Sequence, residues 1–276
     1  MRIGQVLAIL SFLLAFLCAR PLNAAELELF AGAASKPATD EVVKLFESET
    51  GHKVRVYFGG SGSMLSQMKI AQRGDIYFPG SPDFMSRAKR EGLIVADTEK
   101  IVAYLIPSIT VQKGNPKGIK GLRDLARADV RVAIGNPRSV CVGLYAVEVL
   151  EHAKLTAEVK PRVIGYAESC EKTANLVALN GADAVMGWSV FESWNPEKIE
   201  TILLQPDQIP RIGYMPIAVS SLSKNVDLAK KFVEYACSDK GKKIFEKCGY
   251  LTREEDARKY APNAAIGGDY SLPEGW

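Results

Sequence analysis

Apolar residues recur along this chain with two periods. Short runs alternate with polar positions, and longer runs place apolar residues three and four apart; the first pattern marks half-buried strands and the second amphipathic helices. Glu26-Leu27-Glu28-Leu29-Phe30 alternates and predicts a strand. Ala38, Val42, Leu45 and Phe46 then follow at helical spacing, and Gly51 stops that helix. Val54–Phe58 is the next strand, with Met64, Met68 and Ala71 on the helix behind it. Gly74–Phe78 and a helix through Met85 and Ala88 repeat the unit. So regular a repeat predicts a parallel sheet with helices on its faces.

The pattern changes at Ile101–Val111. That run is apolar and β-branched but contains Pro107, which is awkward in a central strand, so it reads as a bridge between two lobes. Beyond it, strand Val130–Ile134 leads to a helix through Leu144, Val147 and Leu150. Strand Arg162–Gly165 leads to a helix that starts at Glu168–Glu171 and runs through Ala174 and Val177. Asp183–Trp188 reads as a buried strand, followed by a short helix with Phe191 and Trp194. Thr201–Leu204 and Ile217–Ser220 are further strands, the second preceded by Tyr214-Met215-Pro216. Helices Val226–Cys237 and Lys240–Lys247 close the fold. The tail after Thr252 is charged, then rich in Gly and Pro, and is expected along the surface, partly loose.

Three of the strand-to-helix loops carry candidate chemistry. Gly59-Gly60-Ser61-Gly62-Ser63-Met64 opens a helix directly after a strand. A helix start has backbone N–H groups without intrahelical partners and the positive end of the dipole. Glycines let an anion approach the backbone, and Ser61 and Ser63 add donors that carry no charge. The same residues also make an ordinary N-cap after a glycine turn. Ala31–Pro37 repeats the arrangement, with Ser35 as cap candidate and Pro37 in the first turn. Gly135–Gly143 is the third such loop, and its Arg138 could pair with an anion or lie solvated on the surface. Trp188, at the end of its strand, could wall a ligand pocket or sit in plain core.

Composition narrows the classes. Arg2 precedes an apolar run from Val6 to Ala19, and Leu22-Asn23-Ala24 offers small residues for cleavage; residues 1–24 are therefore expected to be a signal peptide cut near Ala24, with a periplasmic mature protein. That segment holds two of the 35 basic residues and no acid, leaving 33 against 32, a net charge of +1. So even a balance gives no footprint for nucleic acid. Four cysteines remain: Cys141, Cys170, Cys237 and Cys248. Export permits disulfides, and Cys237–Cys248 is the favoured bridge, with Cys141–Cys170 following from it; the alternative is that some are buried free thiols, which are common in cores. With only His52 and His152 and no Cys-x-x-Cys, no zinc site is expected. A secreted enzyme using Ser61 or Cys141 as nucleophile would have few bases to choose from.

Taken together, Phe30–Ser35, Phe58–Ser63, Gly74–Phe78, Gly135-Asn136-Pro137 through Val142–Ala146 and Lys243–Tyr250 are similar, in order and spacing, to the periplasmic molybdate- and tungstate-binding proteins of ABC importers. The resemblance implies an α/β, two-lobed class II solute-binding fold with a ligand cleft between two β-sheet lobes. Residues 25–106 plus 214–276 would form lobe 1 and 107–213 lobe 2, hinged near Ile106 and Tyr214. In that family two serines, backbone amides and a tyrosine hydroxyl hold the oxyanion. Ser61 falls on the second serine, Ala34 or Ser35 on the first, and Val142 and Cys170 on the amide-donating positions. Trp188 stands where the tyrosine would be, and Cys170 is also a departure. The resemblance implies no catalysis, no cofactor and no direct protein–metal ligands. The implied partners are a small oxyanion and a membrane permease, for a protein expected to be a monomer. The alternatives keep the fold and change the ligand to sulfate, phosphate or a small carboxylate or phosphorylated anion. An iron carrier would need clustered tyrosines, and Tyr145, Tyr166 and Tyr214 are scattered in sequence.

Overall fold

The computed structural model describes residues 25–276; the expected signal peptide and its cleavage site lie outside the described residues. In the first sheet, β1 (Glu26–Gly32) lies between β2 (Lys53–Gly59) and β3 (Ile76–Phe78), all parallel. A strand from late in the chain, β10 (Arg211–Val219), runs antiparallel beside β3 and also pairs antiparallel with β4 (Lys100–Leu105). The second sheet repeats this plan. There β6 (Val132–Gly135) lies between β7 (Val163–Ala167) and β8 (Ala184–Trp188), all parallel. Next to β8 comes antiparallel β5 (Pro107–Gln112), then β9 (Ile199–Leu203), antiparallel to β5. The two lobes are thus copies of one architecture. The chain leaves the first sheet at Ile106 and returns to it at Arg211.

Each parallel strand feeds a helix. α1 (Lys36–Thr50) follows β1, α2 (Ser61–Ala71) follows β2 and α3 (Pro82–Arg90) follows β3. α4 (Cys141–His152) follows β6 and α5 (Cys170–Ala178) follows β7. α6 (Val226–Cys237) and α7 (Asp239–Lys247) cover the first sheet. Local chemistry sets the ends. Pro37 fits the first turn of α1, and Gly51 ends it at φ 72°, donating to the Glu47 carbonyl at 3.0 Å. Ser169 caps α5 by accepting from Lys172 N at 3.1 Å. Packing fixes the rest: Phe46 of α1 meets Phe232 and Tyr235 of α6 edge-on at 5.1 and 5.3 Å. Burying such a ring contributes about 1.5–3 kcal/mol.

Three local expectations need correction. The strand read as Ile217–Ser220 begins at Arg211 and runs through Pro216. The ladder shifts register between Met215 and Pro216, which absorbs the missing proline N–H. Pro107 does not exclude a strand inside the sheet, because it opens β5 and forfeits a donor only at its first residue. The tail is tied down. Ala265–Ile266 (β11) pairs with Arg211–Ile212, Ala257 and Ala261 are buried, and Trp276 is buried under the Lys160 ammonium at 4.7 Å.

The expected disulfides are also absent among the described residues. Cys237 and Cys248 are half-buried free thiols with different charged neighbours, Lys100 and Lys242 for one and Glu41 and Lys247 for the other. Burial pushes the Cys237 thiol up to about 11.

Candidate functional site

The loops after β1, β2, β6 and β7 meet, with Gly60 against the Ser139 and Glu168 carbonyls and Gly80 between Ala34 and Cys141; ligands bind beyond such strand ends in open α/β sheets. Four helices start there, α1 and α2 from the first lobe, α4 and α5 from the second. Their first turns bring together Ala34, Ser35 and Ser61 with Cys141, Val142 and Cys170, none more than 2% exposed. Gly80, after β3, sits at the junction. Its N–H donates to Ser61 Oγ at 2.9 Å. A side-chain carbon on it would lie 2.5 Å from Cys141 Sγ and 2.9 Å from the Ala34 methyl, so only glycine permits this approach. The cleft is shut. Gly62 N–H, on α2, donates to the Ser139 carbonyl of the other lobe at 2.8 Å. The core accordingly runs without a break from Leu29 and Phe78 to Val142, Cys170 and Trp188.

Hydrogen bonding separates the two serines. Ser35 Oγ donates to the Gly32 carbonyl at 3.1 Å, so its proton is engaged locally. Ser61 Oγ accepts from Gly80, which leaves its own proton free for a ligand. The Ser61 carbonyl is held from below by Tyr77 Oη at 2.8 Å, and the Ala34 carbonyl by Tyr250 Oη at 2.6 Å. Ser63 is only partly buried. Opposite, Trp188 and Tyr145 pack edge to face at 4.9 Å. Both are buried, yet Trp188 Nε1 and Tyr145 Oη have no hydrogen-bond partner among the described residues. Two such buried donors are costly unless something else accepts from them. Burial first, then the Asp83 charge, push the Tyr145 hydroxyl well above its ordinary value, so it stays a neutral donor.

Cys141 and Cys170 face each other with sulfurs 3.4 Å apart, as thiols rather than the expected bridge. Each is the first residue of its helix. Burial, then the Cys141 thiol, push the Cys170 thiol well up, against the opposing pull of the Val142 N–H; the Trp188 indole lies near the Cys170 sulfur without forming a hydrogen bond to it.

Positive charge is present but engaged. Arg211 is 4% exposed, stacks on the Tyr145 ring at 4.1 Å, and bonds Asp83 of α3 at 3.0 Å and Glu148 of α4 at 2.7 Å. Arg138 lies outside the set. The residue is exposed, and its guanidinium donates twice to the main-chain oxygen of Trp276, at 2.9 and 2.7 Å. Lys36 pairs with Asp40 at 2.9 Å and lies over the Phe58 ring. Among the described residues no three His, Cys, Asp or Glu side chains gather as a metal site, and none of their helices is long and apolar enough to cross a membrane.

The structure therefore brings Ser35, Ser61, Val142, Cys170 and Trp188 together and leaves Arg138 apart. Sequence reasoning did not place Cys141, Tyr145, Gly80 or Arg211 here. Tyr145 had a signal, since it stands four residues after Cys141 and so on the same helix face. Arg211 had none, because both of its carboxylate partners are far away in sequence.

A cleft shut between two like α/β lobes, lined by four helix starts, defines a two-lobed solute-binding protein. The chain belongs to the family described as bacterial extracellular solute-binding protein, whose model matches residues 27–251. It is 28% identical over 232 residues to a putative binding protein of Haemophilus influenzae, covering 83% of this chain and 92% of that one. It is 24% identical to the molybdate-binding protein ModA of the same organism, covering 83% and 91%. Among solved structures it is similar to the substrate binding domain of a putative molybdenum ABC transporter from Clostridium difficile. That match has a TM-score of 0.63 and 28% identity, and covers 84% of this chain and all of that one.

Proposed function

We propose that this protein is the extracytoplasmic solute-binding component of an ABC importer and that its cargo is a tetrahedral oxyanion, molybdate or tungstate. The observation that carries the reading is the set of uncharged donors at one buried point: four helix starts, the free proton of Ser61, and the unpartnered Trp188 Nε1 and Tyr145 Oη. A buried dianion is well served by fixed dipoles, which need no reorganisation and bury no second full charge. Donors that cannot readily accept a proton also favour a fully deprotonated oxyanion over a protonated one. The names of the relatives support the same cargo. Binding would require the lobes to part, with Ile106 and the stretch before Arg211 as the crossing points, and reclosure would present one shape to a permease.

A second reading has one observation in its favour. A groove of about 240 Å³ opens between the lobes beside Ala33, lined by Lys36, Asp40, Glu171, Asn175 and Trp194. It would hold the body of a small organic anion whose charged end lies at the helix starts. Thermal unfolding with a panel of anions separates the two. Molybdate and tungstate at millimolar concentration are expected to raise the midpoint by several degrees, with sulfate, phosphate and phosphorylated or carboxylate metabolites well behind. A shift confined to the organic anions would move the assignment to the second reading.

A further inference from the structure

We propose that Cys141 and Cys170 form a dithiol subsite in this cleft that takes the oxyacid of a soft, thiophilic metalloid, of which trivalent arsenic is the probe. The proposal deepens the oxyanion reading and rests on it.

The architectural repeat carries the argument. In the first lobe, β1 and β2 lead to helix starts that present the hydroxyls of Ser35 and Ser61. In the second lobe the equivalent strands, β6 and β7, lead to helix starts that present the thiols of Cys141 and Cys170. One wall of the cleft thus offers oxygen and N–H groups, the other a pair of sulfurs. The walls are in contact, since Gly80 stands between Ser61 Oγ and Cys141 Sγ. A ligand with oxygens on one side and a thiophilic central atom fits such a wall pair.

The pair itself is suited to bonding one atom. The sulfurs are 3.4 Å apart, well beyond an S–S bond of about 2.05 Å. Both are buried, so no solvent competes for them. Burial holds the Cys170 sulfur as a thiol, so its proton leaves only as the bond to the soft centre forms, and the first turn of each helix favours charge that develops on sulfur in that exchange. Trp188 Nε1 and Tyr145 Oη, without partners of their own, are donors for an oxygen that remains on the ligand.

The chemistry balances without an oxidant. Arsenous acid has three As–O bonds. Two S–As bonds form as two As–O bonds break, and each departing hydroxide leaves with one thiol proton as water. Arsenic remains trivalent, holding two sulfurs and one hydroxyl.

The test uses the purified protein with its thiols reduced, treated with arsenite and analysed by native mass spectrometry and arsenic X-ray absorption. One arsenic per chain is expected, with a mass gain reflecting loss of two waters and two sulfurs in its shell. Cys141→Ser and Cys170→Ser should each abolish the adduct, while Cys237→Ser/Cys248→Ser should retain it. An adduct surviving in Cys141→Ser/Cys170→Ser overturns the proposal, as does failure of the wild type to form one. A Cys141–Cys170 disulfide in the protein as isolated overturns it too. Molybdate binding is measured on the same samples. If it persists without any arsenic adduct, the subsite fails and the oxyanion reading stands; if neither binds, both fail.

Discussion

The Arg211 guanidinium bonds the Asp83 carboxylate at 3.0 Å, joining the strand that returns from the second lobe to a helix of the first. Both groups are buried, and Glu148 of α4 closes the cluster from the second lobe. One cation thus ties the two closed lobes together. Arg211→Ala would leave two carboxylates buried without their partner. It is expected to lower stability by about 3–5 kcal/mol, read from urea denaturation.

The same cluster gives a signed pH dependence. Burial raises the Glu148 pKa above 4.5, outweighing the Arg211 hydrogen bond. A carboxyl raised on folding contributes stability that is full below its unfolded value and is lost as pH rises through the folded one. The stability of the wild type relative to Glu148→Gln should therefore be greatest below about pH 4.5 and shrink toward neutrality. Denaturation curves for both proteins at pH 4 and pH 7 check this; a gap that widens with pH contradicts it.

Gly80→Ala inserts a methyl where Cys141 Sγ and the Ala34 methyl already meet. The contact joins the lobes, so the expected effect is on closure. Anion affinity should fall about 10–100-fold. Small-angle scattering with saturating ligand should show a larger radius of gyration than for the wild type.

Arg138→Ala is expected to change anion affinity by no more than about twofold, because an exposed arginine bonded elsewhere adds little. A large loss, in equilibrium dialysis, would return Arg138 to the binding set.

Trp188→Phe removes an N–H that has no protein partner while keeping most of the ring. The unfolding midpoint should stay within about 4 °C, since little hydrogen bonding is lost with it. Affinity should drop about tenfold if that N–H serves the ligand.

Much of this fold could be read from the chain because its repeating unit is local. Period-two strands, glycine turns and serine starts lie next to one another, so Ser61 was placed at a helix start without tertiary information. What escaped depended on partners far apart in sequence. Pro216 looked like a strand boundary, and only its bulge against Met215 lets β10 continue. The tail looked loose by composition, but Trp276 finds burial against Lys160 and Arg138. Arg138 could be read as an anion partner or as a solvated surface arginine, and nothing local pointed to the tail that engages it. The cysteines were counted into pairs by compartment, whereas their packing leaves them as thiols, two of them facing each other inside the cleft.

Calorimetric titration of the mature protein with molybdate, run beside Ser61→Ala, tests the central claim most directly. A saturable one-to-one isotherm is expected, weakened about 10–100-fold by the loss of the Ser61 hydroxyl, which accepts from Gly80 and keeps its own proton for the ligand. No saturable binding of molybdate or tungstate, or equal affinity in Ser61→Ala, would contradict it.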